Sequence, residues 1–250
     1  MTAQFPERAE EQGPTMYAVL IAGGKGERLR PLTANRPKPM VEVAGRPIMA
    51  RQIDWLIGQG VDRFVVSCGA MHEIIEDYFG DGSSLGVEIT YEVEDTPMGR
   101  GGGLRLGCAQ IPATEELFIA TNADILSAQD LAPMIAQHRE DGNTATILLT
   151  PYVSQFGIVE IEGRRVRQFA TNPVLPHWIN GGVYVMSRGI EQLLPVVGDH
   201  EDSTFPDLAA RGKLGAFTSR AWWRSMESVK DHARLEQELG EHPSGSTGAG

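Results

Sequence analysis

The apolar positions change period along the chain, and each change marks an element. Met16–Ala22 (MYAVLIA) is a short, wholly apolar run, as a strand buried on both faces requires. Ile48–Leu56 has helical spacing, and Arg63–Ser67 (RFVVS) is β-branched and apolar. His72–Phe79 reads as a helix with Ile74, Ile75, Tyr78 and Phe79 on one side. Val87–Tyr91 is strand-like, Leu104–Gln110 helix-like, and Leu117–Ala120 again a short apolar run. Alternation at these lengths implies parallel strands joined by crossover helices. The second half changes character: Ala145–Leu149, Gly157–Ile161, Val166–Phe169 and Gly182–Met186 read as strands with few helices between them. Met226–Leu239 then reads as an amphipathic helix, with Val229, Ala233 and Leu235 as its buried stripe. The expectation is an α/β sheet with an antiparallel or mixed extension, binding ligands at the carboxyl ends of its strands.

No Pro/Gly/Ser-rich run interrupts this pattern, so residues 16–240 read as a single domain, with 1–15 and 241–250 as flexible tails. The 250 residues are 41% hydrophobic and 22% charged, ordinary for a soluble globular chain. A formal charge of −11 argues against a nucleic acid polymer or an anionic membrane as partner, without excluding a local basic site. Cys68 and Cys108 form neither a zinc spacing nor a disulfide framework, and MTAQFPERAEEQGPT is unlike a signal peptide. The expected location is the cytoplasm.

The strongest local signal follows the first strand, in LIAGGKGERLRPLTANRPKPM. Gly23, Gly24 and Gly26 leave a buried strand where bare backbone amides can approach a ligand. Lys25, Arg28, Arg30, Arg36 and Lys38 put five cations into fourteen residues, where the overall frequency predicts about one. Glycine amides with clustered cations suit a polyphosphate. The spacing is not that of a dinucleotide-binding turn, the prolines at 31, 37 and 39 block a continuous helix, and the Gly-Lys-[Ser/Thr] of a P-loop is missing.

Gly-Gly-x-Gly-x-Arg-Leu followed by Pro-Lys-Pro-Met resembles the signature of the sugar-1-phosphate nucleotidyltransferases, or nucleotide-sugar pyrophosphorylases, over about residues 16–238. EDTPMGRGGGL from Glu94 resembles the family's base-binding loop, and TNAD from Thr121 its metal-binding Asn-Gly-Asp. FGIVEI and WINGGVYV resemble its sugar-pocket strands. SCGAMHEIIEDYFGDG and the Glu-x-x-Pro-x-Gly loop are most similar to mannose- or heptose-1-phosphate guanylyltransferases, whereas WWRSMESVKDHARLE resembles the ending of glucose-1-phosphate cytidylyltransferases. The resemblance implies a Rossmann-like mixed, mainly parallel sheet flanked by helices, with an antiparallel sugar-binding extension.

It also implies a reaction: NTP and sugar-1-phosphate give NDP-sugar and pyrophosphate, which demands positioning and charge neutralisation rather than proton transfer. By resemblance Arg28, Lys38 and Asp124 are catalytic. Leu20, Ala22, Gly23, Gly24, Gly26, Glu94, Gly99 and Asn122 contact the nucleotide. Gly157, Thr171, Asn172, Asn180 and Gly181 contact the sugar phosphate, and Asp124 with Glu227 holds Mg²⁺. Glu227 stands where the cytidylyltransferases have Asp, and it reads equally as a charge at a helix N-terminus. A carboxylate only accepts hydrogen bonds, and guanine presents N1–H and N2–H₂ together, so Glu94 favours GTP; it could instead point to solvent or pair with Arg100.

Three departures weigh against a simple transfer of roles. Arg100 stands where Thr is usual, Ala123 replaces the Gly of Asn-Gly-Asp, and Thr171–Asn172–Pro173 occupies the place of Glu-Lys-Pro. Either another cation, such as Arg100 or Arg167, replaces the lost lysine, or the acceptor is not a standard hexose-1-phosphate. The expected substrates are GTP and a mannose-, heptose- or cyclitol-type phosphate, with a homo-oligomer compatible. The alternatives are a cytidylyl- or uridylyltransferase, or a weakened regulatory subunit that binds nucleotide-sugar. The six histidines show no metal spacing, and Trp222 and Trp223 read as packing residues.

Overall fold

The computed structural model describes residues 15–24 and 26–240; the expected tails, 1–15 apart from Thr15 and 241–250, lie outside the described residues, as does Lys25. In chain order the elements are β1 (Tyr17–Ile21), β2 (Glu42–Val43), β3 (Arg46–Pro47), α1 (Ile48–Gly58), β4 (Arg63–Cys68), α2 (His72–Phe79), β5 (Glu88–Val93), α3 (Gly99–Ala109) and β6 (Leu117–Asn122). Then follow β7 (Ile125–Ser127), α4 (Ala132–Asp141), β8 (Ala145–Val153), β9 (Ile158–Glu162), β10 (Arg165–Ala170), β11 (Val174–Ser187), α5 (Thr204–Ala210), β12 (Leu214–Thr218), β13 (Trp223–Ser225) and α6 (Val229–Gly240).

Seven strands form one sheet in the order β12-β8-β11-β6-β1-β4-β5. Only β11 runs antiparallel to its neighbours; β12–β8, β6–β1, β1–β4 and β4–β5 are parallel. The wholly apolar β1 is explained by its central place. Ala18 and Leu20 pack under α1 and α2 on one face, while Val19 and Ile21 pack under α3 on the other. A third cluster (Leu29, Val41, Leu126, Met226 and Leu235 among its members) binds α6 to the segments after β1 and β6.

Several boundaries and faces differ from the sequence pattern, for physical reasons. The third helix begins at Gly99 rather than Leu104, because its glycines allow close approach to neighbouring segments: a Cβ on Gly102 would meet Val196 O at 2.6 Å. In α2, Ile75 and Phe79 are buried but Tyr78 turns to solvent. The last helix begins at Val229, after Ser228 Oγ and Asp231 engage each other. Only Leu235 of its expected stripe is buried; Val229 and Ala233 are exposed. The second half holds two helices that the apolar pattern hides, α4 and α5, since α4 buries only Met134 and His138. The strand after the hairpin runs fourteen residues from Val174; its first half, VLPHWIN, is exposed or half-buried because it leaves the core.

Candidate active site

Parallel strands β1, β4, β5 and β6 all end at one edge of the sheet, and the segments leaving β1, β5 and β6, with Glu227, build a cleft of about 710 Å³. Ala22, Gly24, Gly26, Arg28, Lys38, Asn122, Asp124 and Glu227 line it, with Ile21, Glu27, Leu29, Pro39, Arg100 and Ala123. Residues 200 positions apart therefore meet in one wall.

Local structure fixes each of these side chains. Gly26 sits at φ +60°, where a Cβ would press Thr33 Cγ2 at 3.0 Å and Lys38 Cβ at 3.1 Å; Thr33 Oγ1 donates to Gly26 O at 2.8 Å and folds the loop back. Lys38 opens a short 3-10 turn whose Met40 is buried, which anchors the lysine stem at the cleft floor. The turn after β6 is held from beneath by Gln52, whose Nε2 donates to Thr121 Oγ1 (3.1 Å) and Asn122 O (2.8 Å). Thr121 Oγ1 donates in turn to Gly182 O at 2.9 Å. Neither Gln52 nor Thr121 was among the expected site residues; a polar residue inside the apolar stripe of α1 was the available signal. Met226 N donates to Asp124 O at 3.2 Å and its side chain is fully buried, so the next residue, Glu227, stands beside Asp124.

The charges in the cleft satisfy one another. Lys38 Nζ forms ion pairs with Asp124 Oδ2 and, at 3.0 Å, with Glu227 Oε2; Arg28 reaches the same Glu227 oxygen at 2.8 Å. The Glu227 side chain is thus turned into the cleft rather than along α6. Burial, and Glu227 nearby, raise the Asp124 carboxyl above the ordinary carboxylate range, while Lys38 pulls it back down. Asp124 Oδ1 and Asn122 Oδ1 are buried without a partner. An orphaned carboxylate oxygen beside a second carboxylate is a fitting donor set for a hard divalent cation.

The expected cationic island is divided. Arg28 and Lys38 reach the cleft, whereas Arg36 pairs with Glu42 at 3.3 Å and Arg30 is exposed outside the lining. Among the described lining residues three cations face three carboxylates, so local charge balances instead of accumulating. The Ala22 amide is spent on Ser67 O at 2.7 Å, while the amides of Gly24 and Gly26 find no backbone acceptor among the described residues. Leu20 does not reach the cleft: it is fully buried between β4 and β6.

Glu94 lies in a slot between glycines, 3.0 Å from where a Cβ on Gly23 would be, and its Oε2 accepts from Met98 N at 3.0 Å. It does not pair with Arg100. Arg100 lines the cleft but is held by Asp199 (2.7 Å) and Glu201 (2.6 Å). Gly99 packs on the 198 backbone, 2.5 Å from Gly198 O to its would-be Cβ. Asn180 Nδ2 donates to Glu201 Oε1 (3.1 Å) and Tyr184 Oη (3.0 Å), and Gly181 O accepts from Trp223 Nε1 at 2.8 Å. Gly157 lies against Phe169, and Thr171 and Asn172 are exposed beyond β10; the structure does not bring these three into the cleft lining. Asp199, His200 and Glu201 also bring ligand-type atoms within 4.8 Å of one another. The Arg100 guanidinium already holds both carboxylates, so a cation there would meet a positive charge.

Comparisons with known proteins identify the family of the chain. The family model described as Nucleotidyl transferase matches residues 17–226. The chain is 32% identical over 231 residues to a mannose-1-phosphate guanylyltransferase of Mycobacterium tuberculosis, covering 89% of this chain and 64% of the relative. It is 31% identical to mannose-1-phosphate guanylyltransferase catalytic subunit beta of Danio rerio, covering 86% and 62%. The chain thus spans somewhat under two thirds of the length of these curated relatives. Its fold matches the crystal structure of HddC from Yersinia pseudotuberculosis complexed with GMP-PN, with a TM-score of 0.71 at 23% identity, covering 90% of this chain and all of that one. UDP-glucose pyrophosphorylase from Acinetobacter baumanii matches with a TM-score of 0.70 at 19% identity, covering 92% and 95%. The sheet order, the glycine loop after β1 and the 210-residue match lead to one assignment: this chain belongs to the nucleotidyl transferase family.

Proposed function

We propose that this chain transfers a nucleotidyl group from an NTP, preferentially GTP, to a sugar-1-phosphate of mannose, heptose or cyclitol type, releasing pyrophosphate. The observation that carries the reading is the cleft itself: the amides of Gly24 and Gly26, without a backbone acceptor among the described residues, stand with Arg28 and Lys38 opposite Asp124 and Glu227 at the carboxyl edge of the sheet. The names of the Mycobacterium tuberculosis and Danio rerio relatives support both the reaction and the base.

In this reading an oxygen of the sugar phosphate bonds to the α-phosphorus, and the bond from that phosphorus to the β-phosphate oxygen breaks, so pyrophosphate carries away the electron pair. The amides of Gly24 and Gly26 bind phosphate oxygens. Arg28 holds the leaving pyrophosphate, and Lys38, a compact charge on a flexible stem, follows the charge shifting around the α-phosphate. Asp124 and Glu227 would hold Mg²⁺, which supplies charge neutralisation when bound. Asn122, with its unpaired Oδ1, accepts from a ligand hydroxyl. Glu94 keeps acceptor capacity beyond its bond to Met98 N, which suits the paired donors of guanine. Arg167, exposed on β10, and Arg100, held by two acids, leave the acceptor phosphate to Lys38.

Residues 16–240 act as one domain in this reading. The protein works in the cytoplasm, where its two buried cysteines stay free. No helix among the described residues is long and apolar enough to cross a membrane. The test is pyrophosphate release over four NTPs and a panel of sugar-1-phosphates, with and without magnesium. Turnover with GTP above the other NTPs is expected. Turnover with CTP or UTP alone would move the base, and nucleotide-sugar binding without any turnover would replace the enzyme by a regulatory subunit.

A further inference from the structure

The hairpin β9–β10 projects from the sheet at the cleft edge, and every one of residues 155–169 is exposed. Its register gives it two unlike faces. Ile161 stands opposite Val166 and Val159 opposite Phe169; opposed residues project to the same side. The register shift between Val166 and Gln168 absorbs one residue, which returns Phe169 to the face of Val166. One face is therefore all apolar, and the other carries Glu162 opposite Arg165, Glu160 opposite Gln168 and, at the hairpin base, Ile158 opposite Ala170. On the apolar face Val159, Ile161, Val166 and Phe169 are 44, 71, 60 and 67% exposed.

We propose that this apolar face is a dimer interface and that its occupant is the same face of a second copy of this chain. A two-stranded hairpin is at best marginally stable alone in water, so the face needs a cover. A sugar phosphate, all hydroxyl and charge, does not supply one. At these exposures the four side chains present on the order of 400 Å² of apolar surface, comparable to the biggest patch on an ordinary monomer. Val153 and Val174, exposed at the hairpin base, extend it toward the ~800 Å² per partner that a stable dimer buries. Charge opposes self-association less here than over the chain as a whole. The chain carries −11 overall, but this segment holds Glu160 and Glu162 against Arg164, Arg165 and Arg167, none in an ion pair among the described residues. Two copies meet at this hairpin without the repulsion they would feel elsewhere.

Sedimentation equilibrium over a hundredfold concentration range tests this on the full chain, independently of any catalytic activity. The parent protein should be a dimer that dissociates on dilution, and Ile161→Glu/Val166→Glu should be a monomer throughout that still unfolds cooperatively, at a melting temperature independent of its concentration. A second variant guards against misfolding. Ile161→Cys should give a disulfide-linked dimer on mild oxidation, since Cys68 and Cys108 are buried and contribute no background. A parent that stays monomeric at every concentration, a glutamate variant that still dimerises, or an Ile161→Cys protein that never cross-links would overturn the proposal. If the face is instead covered by a segment of a longer chain or by another protein, the first of these results is the one observed.

Discussion

Removing the cleft lysine measures how far the two carboxylates depend on it. Lys38→Met keeps most of the apolar stem and deletes the charge that lies against Asp124 and 3.0 Å from Glu227. The Lys38 and Asp124 side chains are only 13% and 12% exposed, so neither is well solvated. Without the lysine two carboxylates face each other, with the exposed Arg28 alone remaining on Glu227. A charge pair at 3 Å is worth roughly 5 kcal/mol at an effective dielectric of about 20, and breaking a buried pair from one side costs about 3–5 kcal/mol. Glu227 is 41% exposed and partly screened, which places the expected loss near the lower end, about 3 kcal/mol. Urea unfolding at pH 7 reads it directly. Lys38→Met/Asp124→Asn should recover at least half of that loss, because the buried charge is gone. Magnesium chloride should raise the melting temperature of Lys38→Met more than that of the parent, since no ammonium competes for the carboxylates, and the double variant should lose this response. A Lys38→Met protein within about 0.5 kcal/mol of the parent would refute the picture of a charge-locked cleft.

Four further outcomes follow from other parts of the site. Asp124→Ala should abolish magnesium-dependent pyrophosphate release while leaving the far-UV circular dichroism unchanged; full activity would show that the metal lies elsewhere. Glu94→Gln should lower kcat/KM for GTP more than for UTP, and an unchanged ratio would remove its role in base choice. Gly103→Ala should cost about 1–3 kcal/mol and weaken GTP use, because the new Cβ would lie 2.8 Å from Ser67 Oγ and collide with the Glu94 carboxylate; guanidinium unfolding and nucleotide titration check the two parts. His200 is fully buried against Tyr184 and Phe205, and burial pushes its imidazole down from 6.5 to about 4, opposed in part by Asp199. The unfolded chain takes up that proton first, so stability should be full above about pH 6.5 and fall by up to about 3 kcal/mol as pH drops to 4. His200→Phe should flatten that component in urea unfolding measured across the range.

What was legible in the sequence is what local period and backbone freedom encode. The run MYAVLIA reads as a doubly buried strand because both its faces meet helices, and the glycines after it mark a loop that side chains would block. The alternation through Leu117–Ala120 suffices for a mainly parallel sheet with its ligand edge at the strand ends. Elements with few buried positions stay hidden: α4 buries two side chains, too few to impose a stripe, and the first half of β11 has no fully buried position because it lies outside the core.

Tertiary structure alone decided the pairings between distant residues. Nothing near Arg28 in the chain predicts that it meets Glu227, 199 positions away; that depends on Met226 being buried and bonded to Asp124. Arg100 reads as a candidate phosphate ligand until Asp199 and Glu201 take it up. The cations that look like a continuous island divide between the cleft and Glu42 because carboxylates from other segments arrive beside them. The hairpin's apolar face appears only once the bulge places Phe169 with Val166. The local period is set by each residue's own neighbours, so sequence carries it; a charge's partner depends on where the sheet brings remote segments, so only the fold determines it.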